Sequence, residues 1–486
     1  MTSASQPASG QVRYGTAIGR WVLLATILGS GIAALDATVV NVALPAIAKD
    51  FNSGVAGLQW VVTAYLLTLA SLILLGGSLG DRYGRRKVFT IGVAWFTVAS
   101  LLSGIAPNLE LLIAARALQG IGGALLTPGS LAIIEASFEP DDRGRAIGAW
   151  SGMGGIATAI GPFAGGYLIS AVSWRLIFLL NLPLAFIVLV AVRRVPESRN
   201  PSLMGPLDVR GSVLGAVGLG GSTYALIEGP AGASTGVVIA AAVIGVAVLV
   251  GFVLAETRSD SPMVPLDIFR SRQFSAANLV TFAVYAALGG IFFLLVINLQ
   301  VSLGYSPLEA GAAMLPVTLL MLVLSPSAGA LSQRIGPRIP MTFGPVIVAF
   351  GLLLMTRISP GTTYLESVFP AVFVFGLGLS LMVAPLTATV LAAASSENAG
   401  VASGINNAVA RVAGLIAVAA LPAVAGLTGN AESSATAFTR GFHRASLVCA
   451  GLVGLGAAIA WVGIRNPLVS STEVENGPAS TPPVAG

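Results

Sequence analysis

An acid and a base, Asp36 and Arg116, stand inside long apolar runs of this sequence. Asp36 lies in Leu35-Asp36-Ala37-Thr38-Val39-Val40-Asn41, and Arg116 opens Arg116-Ala117-Leu118-Gln119-Gly120. A charge in a hydrocarbon-spanning segment is costly, so such a residue is a candidate functional site by default. Counted at 1.5 Å per residue from the ends of their runs, Asp36 lies ~10–13 Å and Arg116 ~9 Å below the same boundary. The depths nearly match, which makes the two candidate partners. Burial and a neighbouring guanidinium act on a carboxyl group in opposite directions. A carboxylate balanced between them can take up and release a proton during a cycle. The competing reading is a permanent salt bridge locking two helices together.

Further residues in the apolar runs are candidates for a cavity wall. They are Asn41, Tyr65, Gln119, Asn278, Tyr285, Met314, Asn407 and Arg411. Arg411 is read either as a hydrogen-bonding tie between helices or as a substrate or gating contact. The fifth apolar run carries Gly148, Gly152, Gly161, Pro162, Gly165 and Gly166. Small residues let helices approach closely in lipid, and Pro162 removes a backbone donor and bends the helix. A polar turn, Gly77-Ser-Leu-Gly-Asp81-Arg82-Tyr-Gly84-Arg85-Arg86-Lys87, follows the second run. A lone acid among its four basic residues can hold the turn against an arginine or a helix N-terminus, giving a latch that breaks during switching.

The elements that must position these residues follow from composition. Of 486 residues, 55% are hydrophobic and 9% charged, against roughly 25% charged in soluble domains. Apolar runs long enough to cross ~30 Å of hydrocarbon recur along the chain, and none alternates as a barrel strand does. The spans are read at 19–43, 58–79, 88–106, 110–133, 146–170, 176–192, 211–227, 236–255, 274–297, 310–330, 340–357, 367–390, 400–424 and 443–464. The sequence therefore predicts an all-α integral membrane protein with fourteen transmembrane helices. With the N-terminus inside, 18 of the 25 Lys and Arg residues fall on the cytoplasmic side. By the positive-inside rule both termini are cytoplasmic. The net charge of +5 is thus an orientation signal, and no basic patch is large enough to track a nucleic-acid backbone. One Cys and one His leave no disulfide and none of the usual zinc sets.

The turn at 77–87 has a second copy, Gly329-Ala-Leu-Ser-Gln333-Arg334-Ile-Gly336-Pro337-Arg338. It follows the tenth run, so the repeat is offset by eight helices. Two six-helix halves with two inserted helices satisfy that offset, and such repeats place a substrate site between the halves near the midplane. The division expected is a disordered N-terminus over 1–14, a bundle over 15–192, the inserted pair with its linkers over 193–273, a second bundle over 274–465 and a disordered tail over 466–486. No linker is long enough for a fused ATPase, and no phosphate-binding G-x-x-x-x-G-K-[ST] loop occurs.

These motifs together resemble the major facilitator superfamily. The turn at 77–87, Arg-x-x-Gln-Gly at 116–120 and Gly-Pro-x-x-Gly-Gly at 161–166 occur in the family's order. The last resembles the exporters' antiporter motif, departing at Ala157 where the fuller pattern has Gly. The helix 1 run ending Asn41-Val-Ala-Leu-Pro45, with Trp174-Arg175, Phe178 and Asn181-Leu-Pro183, resembles the fourteen-helix drug:proton antiporters. The resemblance implies a major facilitator fold of two six-helix bundles plus two central helices. It implies Asp36 as protonation site with Arg116 as partner, and Asp81, with Gly77, Arg82, Gly84, Arg85 and Arg86, as a cytoplasmic latch against the second half. Gln333 replaces the acid in the second copy, so that copy lacks the charge.

The function expected is proton-coupled export of lipophilic, neutral or monocationic compounds such as drugs or antibiotics, by alternating access. It uses the proton-motive force and no cofactor. A proton moving inward gains ~2.3 kcal/mol per 100 mV and ~1.4 kcal/mol per pH unit. The expected setting is a bacterial inner membrane, with a monomer contacting substrate, protons and lipid. Export of a lipid or lipid precursor, and a non-transporting sensor or scaffold, are the alternatives.

Overall fold

The computed structural model describes residues 11–199, 207–259, 262–394, 399–428 and 434–466. Among them are fourteen long helices. The first six are α1 (Ala17–Phe51), α2 (Val55–Tyr83), α3 (Arg85–Gly104), α4 (Leu109–Ser137), α5 (Pro140–Ala171) and α6 (Leu176–Arg194). An inserted pair follows, α7 (Val209–Glu228) and α8 (Thr235–Glu256). The last six are α9 (Arg272–Val301), α10 (Pro307–Ile335), α11 (Arg338–Met355), α12 (Tyr364–Ala392), α13 (Ala399–Val424) and α14 (Ala435–Gly463). Twelve are long and apolar enough to cross a bilayer; α5 and α7 are the two that fall short. Both are rich in glycine, with serines in each, and pack against neighbours where small residues are favoured.

Three departures from the spans read in the sequence have a clear local reason. Helix α1 runs past Pro45 to Phe51, because a bend at proline need not end a helix whose neighbours hold it. Helix α14 begins at Ala435, eight residues before the run expected from residue 443. Its first turns carry Thr439, Arg440, His443 and Arg444, so hydropathy alone misses a helix that the Ser434 hydroxyl caps by accepting from Ala437 N. Helix α10 breaks between Ala312 and Leu315, where Pro316 has no N–H to continue the ladder.

The segment expected to be disordered through residue 14 is ordered from residue 11. Val12 N donates to Ser137 O at 2.8 Å, and Glu139 N donates to Val12 O at 3.2 Å. Arg13 pairs with Glu139 at 3.1 Å, and Tyr14 N donates to Asp142 Oδ2 at 2.8 Å. Backbone groups that would have been left to water are satisfied by the α4–α5 turn. Residues 1–10 and 467–486 lie outside the described residues. The last described residue, Asn466, is also held, at the α10–α11 turn. The end of the molecule that carries both these residues is called the termini end below.

The two six-helix halves are built alike, and their corners show it most clearly. Gly84, between α2 and α3, has φ +114°, and Gly336, between α10 and α11, has φ +82°. Glu197, just past α6, accepts from Arg86 N at 3.0 Å and Lys87 N at 3.2 Å. Asn466, just past α14, accepts from Arg338 N at 3.2 Å. Each half thus ends by capping the start of its own third helix. A Cβ at Gly84 would come 2.8 Å from the Glu197 carboxyl, and one at Gly336 would collide with the Asn466 amide. Both corners need glycine for backbone sign and for space.

The halves meet along α2 with α13 and along α5 with α10. Helix α7 packs on both α2 and α13, and α8 packs on α7, nearly all of its surface facing outward. At the termini end of this pair, Asp208 caps α7 by accepting from Gly211 N at 2.8 Å. Buried Glu256 accepts from Val264 N at 2.8 Å, closing the hairpin onto the following loop.

Candidate functional site

Asp36, on α1, is 2% exposed, and Arg116, on α4, is 1% exposed. Arg116 Nη1 donates to Asp36 Oδ2 at 2.6 Å. The other carboxylate oxygen accepts from Gln119 Nε2 at 2.8 Å and from Asn181 Nδ2 at 3.4 Å. Gln119 and Asn181 also donate to Ser100 Oγ at 2.8 and 3.1 Å. Four helices of one half, α1, α3, α4 and α6, therefore converge on a single carboxylate. The guanidinium is held by more than charge: Nε donates to Val61 O at 3.2 Å, and Cζ lies 4.5 Å above the Tyr65 ring and 5.6 Å from the Phe178 ring. A cation over an aromatic face is stabilised by the ring quadrupole.

Close helix contact brings these groups together. Gly120 leaves room for the Tyr65 backbone and Gly122 for Phe96, so α4 sits directly on α2 and α3. Helix α6 bends at Leu180–Asn181, where Asn181, fully buried, turns inward. Its Oδ1 has no hydrogen-bond partner among the described residues. A buried ion pair is not in itself a stabilising device, since desolvation can exceed the Coulomb gain. What the cluster does is hold one carboxylate in a fixed donor set, with a cation that is uncompensated whenever the carboxylate is neutral.

The candidate cavity residues divide. Tyr65 is buried on Arg116, and Gln119 belongs to the Asp36 cluster. Asn278 is buried in a tie between α9 and α13: Asn406 Nδ2 donates to Asn278 Oδ1 at 3.1 Å and to Thr281 Oγ1 at 2.8 Å. Its own Nδ2 donates to Phe274 O at 2.9 Å. Asn278 thus has both ends engaged within its own half. Met314 is buried at the break in α10. Asn41 is half-buried and turns back to Ala37 O at 3.4 Å. Tyr285, Asn407 and Arg411 line one pocket in the second half.

The glycines of α5 also divide. A Cβ at Gly161 would come 2.5 Å from Thr38 Oγ1, one at Gly165 2.5 Å from Val39 Cγ1, and one at Gly166 2.6 Å from Pro307 O. Gly311 approaches the Pro162 carbonyl equally closely. At Gly148 and Gly152 a Cβ would meet nothing within 4 Å. The helix is clamped on α1 and α10 at the end away from the termini; toward the termini end it stays on α1, where Trp150 Nε1 donates to Ser30 Oγ at 2.8 Å, while Gly148 and Gly152 face open space. Ala157, the departure from the fuller motif, has its Cβ opposite Gly31 of α1, with room at 3.5 Å.

In the turn at 77–87, Asp81 Oδ1 accepts from Arg85 Nε at 2.7 Å, and Arg85 Nη1 donates to Ala132 O at 3.2 Å. Arg86 pairs with Glu197 at 3.6 Å, Arg82 lies by the Tyr83 ring at 5.6 Å, and Gly77 has only ordinary contact with Pro128. The Asp81 ion pair is formed within its own half, where the sequence led us to expect a partner across the interface. The close approach in this region is at Gly76, against Ala124 O.

Sequence reasoning missed several cross-helix contacts. Gln59 Nε2 on α2 donates to Val418 O at 2.7 Å and Ala419 O at 2.8 Å on α13. Gln300 Nε2 on α9 donates to Val42 O on α1 at 3.0 Å. Both join the halves at the end away from the termini. Glu197 was missed as the cap of α3, and Ser100 as a member of the Asp36 cluster. Asn181 was visible as part of a motif, but its partner was not.

Comparison with known proteins agrees with this architecture. The family model of the Major Facilitator Superfamily matches residues 26–418. The puromycin resistance protein of Streptomyces alboniger is 36% identical over 478 residues, covering 95% of this chain and 94% of that protein. The multidrug resistance protein Stp of Mycobacterium tuberculosis is 37% identical over 408 residues, covering 83% and 75%. The methylenomycin A resistance protein of Bacillus subtilis is 33% identical, covering 93% and 96%. Among solved structures, a bacterial homolog of the human lysosomal transporter Spinster, in an inward-facing and unoccupied conformation, gives a TM-score of 0.68 at 16% identity, covering 92% and 97%. A D-xylose-proton symporter gives 0.66 at 15% identity, covering 92% and 98%. At these identities the two structures speak for the fold alone. The sequence relatives and the family model together place the chain in the major facilitator superfamily, as a multi-pass secondary transporter.

Proposed function

We propose that this transporter exports lipophilic drugs or antibiotics in exchange for protons, with Asp36 as the protonation site and Arg116 as its charge partner. The observation that carries the reading is the buried Asp36 cluster. Protonating Asp36 replaces a closed ion pair by a neutral acid beside an uncompensated guanidinium. The cluster must then rearrange, and α1, which carries Asp36, also packs on α9 and the start of α10 across the interface between the halves. Names of the relatives support the direction of transport, since resistance to an antibiotic made or met by a cell follows from moving it out.

By the arginine count the termini end is cytoplasmic. The α5–α10 contact, clamped at the far end and parted toward the termini, then corresponds to an inward-facing state. Outward opening would require the clamp at Gly166 and Gly311 to part and the termini end to close, with Asp81 exchanging Arg85 for a partner on the second half. The test is proton movement in proteoliposomes on addition of a panel of lipophilic antibiotics. Antibiotic-evoked proton flux in the wild type, lost in Asp36→Asn, supports the exchange. Equal flux in both contradicts the assignment of Asp36.

A further inference from the structure

Arg411 is a second membrane-embedded cation, and its situation is the opposite of that of Arg116. It lies twelve residues into α13, near the middle of the helix. It has no hydrogen-bond or ion-pair partner among the described residues. The buried carboxylate of the other half, Asp36, is committed to Arg116 at 2.6 Å. Arg411 lines a pocket of about 180 Å³ with Tyr285, Thr387, Ser403 and Asn407. Asn407 stands one turn before it on the same helix face. The Tyr285 hydroxyl likewise has no partner among the described residues. The Thr387 hydroxyl and the Asn407 amide are already donating, to Val383 O and Ser403 O at 3.1 Å each. Arg411 is also close enough to act electrostatically on Tyr65 of the first half and on Tyr285. Arg411 thus stands within electrostatic reach of the first half across the interface.

We propose that Arg411 and the Tyr285 hydroxyl form a headgroup subsite for a monoanion, a carboxylate or an ionised phenol carried on an apolar ring system. A guanidinium without a counter-charge in a membrane interior is costly, and an anionic ligand supplies what the chain lacks. The fork of N–H donors suits a carboxylate in two-point contact. One cation with one free hydroxyl matches a single negative charge and leaves a dianion underpaired. The volume is below the ~300 Å³ at which drug-sized pockets begin, so the pocket takes one polar end and the body of the ligand lies between the halves. Permanent monocations, expected from the sequence alone, are repelled at this subsite.

The inference rests on the export reading for the direction of transport only, because binding can be read without a gradient. The experiment uses the full chain in detergent and three probes of one shape: 9-anthracenecarboxylate, its methyl ester and 9-(aminomethyl)anthracene. Binding is followed by fluorescence anisotropy. The carboxylate should bind best and the ammonium worst. Arg411→Gln should weaken the carboxylate about tenfold or more, the loss of one charged hydrogen bond, and leave the ester nearly unchanged, which also shows that the variant is folded. Arg411→Lys should lie between. Failure of the carboxylate to bind, equal binding of the ammonium, or carboxylate binding indifferent to Arg411→Gln overturns the subsite. If Arg411→Gln loses the ester as well, Arg411→Lys decides: a carboxylate preference kept there supports the subsite, and one lost there overturns it. Export fails separately, as an absence of proton-coupled movement of the ester in proteoliposomes.

Discussion

Gln59 occupies the gap that Pro422 opens in α13. Proline has no N–H, so the carbonyl four residues before it, Val418 O, has no helical donor. The Gln59 amide from the opposite half supplies one, at 2.7 Å, and reaches Ala419 O as well. The bond joins α2 to α13 at the end where α5 and α10 are also clamped.

This bond should bias the conformational equilibrium. Removing it with Gln59→Leu leaves a buried carbonyl unsatisfied in the closed state only, a change of ~1–3 kcal/mol. The ratio of outward-open to outward-closed molecules should rise roughly tenfold. Spin labels across the far end of α2 and α13, in a Cys449→Ala background, would report the distance distribution. An unchanged distribution would show that closure does not depend on Gln59.

The Asp36–Arg116 pair should show opposite behaviour in stability and in transport. Arg116→Gln alone leaves a buried carboxylate without its cation and should cost ~3–5 kcal/mol. Asp36→Asn combined with Arg116→Gln removes both charges and should recover much of that loss in a detergent thermal melt. It should recover no transport. Restored transport in the double variant would mean that the pair is only a structural tie.

The two corner glycines give a stability prediction. Gly84→Ala and Gly336→Ala each force a side chain into a positive-φ backbone and against a capping residue, at Glu197 and Asn466 respectively. Each should lower stability by at least ~1 kcal/mol. Gly148→Ala, with open space around it, is the control and should melt like the wild type.

The spans, the repeat and the depth match of Asp36 with Arg116 were legible because they depend on composition and on 1.5 Å per residue. The neutral hydrogen-bond network around Asp36 was not. Gln119, Asn181 and Ser100 are neutral, lie up to 145 positions from Asp36, and look like any other polar residue in a membrane run. Gln59 was hidden in the same way: its partner is backbone, so no second polar side chain advertises it. Asn278 was read as a wall residue because polarity in lipid suggests a cavity, yet Asn406 and Thr281 show that an interhelix tie satisfies it equally well. The early start of α14 was masked by its own charged first turns.

A monoanion and a monocation differ in how their export responds to voltage. One proton in for one cation out moves no net charge. One proton in for one anion out moves two, worth ~4.6 kcal/mol at 100 mV. Efflux of 9-anthracenecarboxylate from proteoliposomes should therefore quicken under a valinomycin-set, inside-negative potential. A carboxylate efflux unaffected by voltage would contradict one-for-one exchange with a monoanion.

The central claim is that Asp36 carries the proton. The most direct measurement is the pH change inside proteoliposomes on addition of a lipophilic antibiotic, compared for wild type, Asp36→Glu and Asp36→Asn at equal incorporation. We expect flux in the wild type, reduced flux in Asp36→Glu, whose carboxylate is displaced by one methylene, and none in Asp36→Asn. Undiminished antibiotic-evoked proton flux in Asp36→Asn would contradict the account.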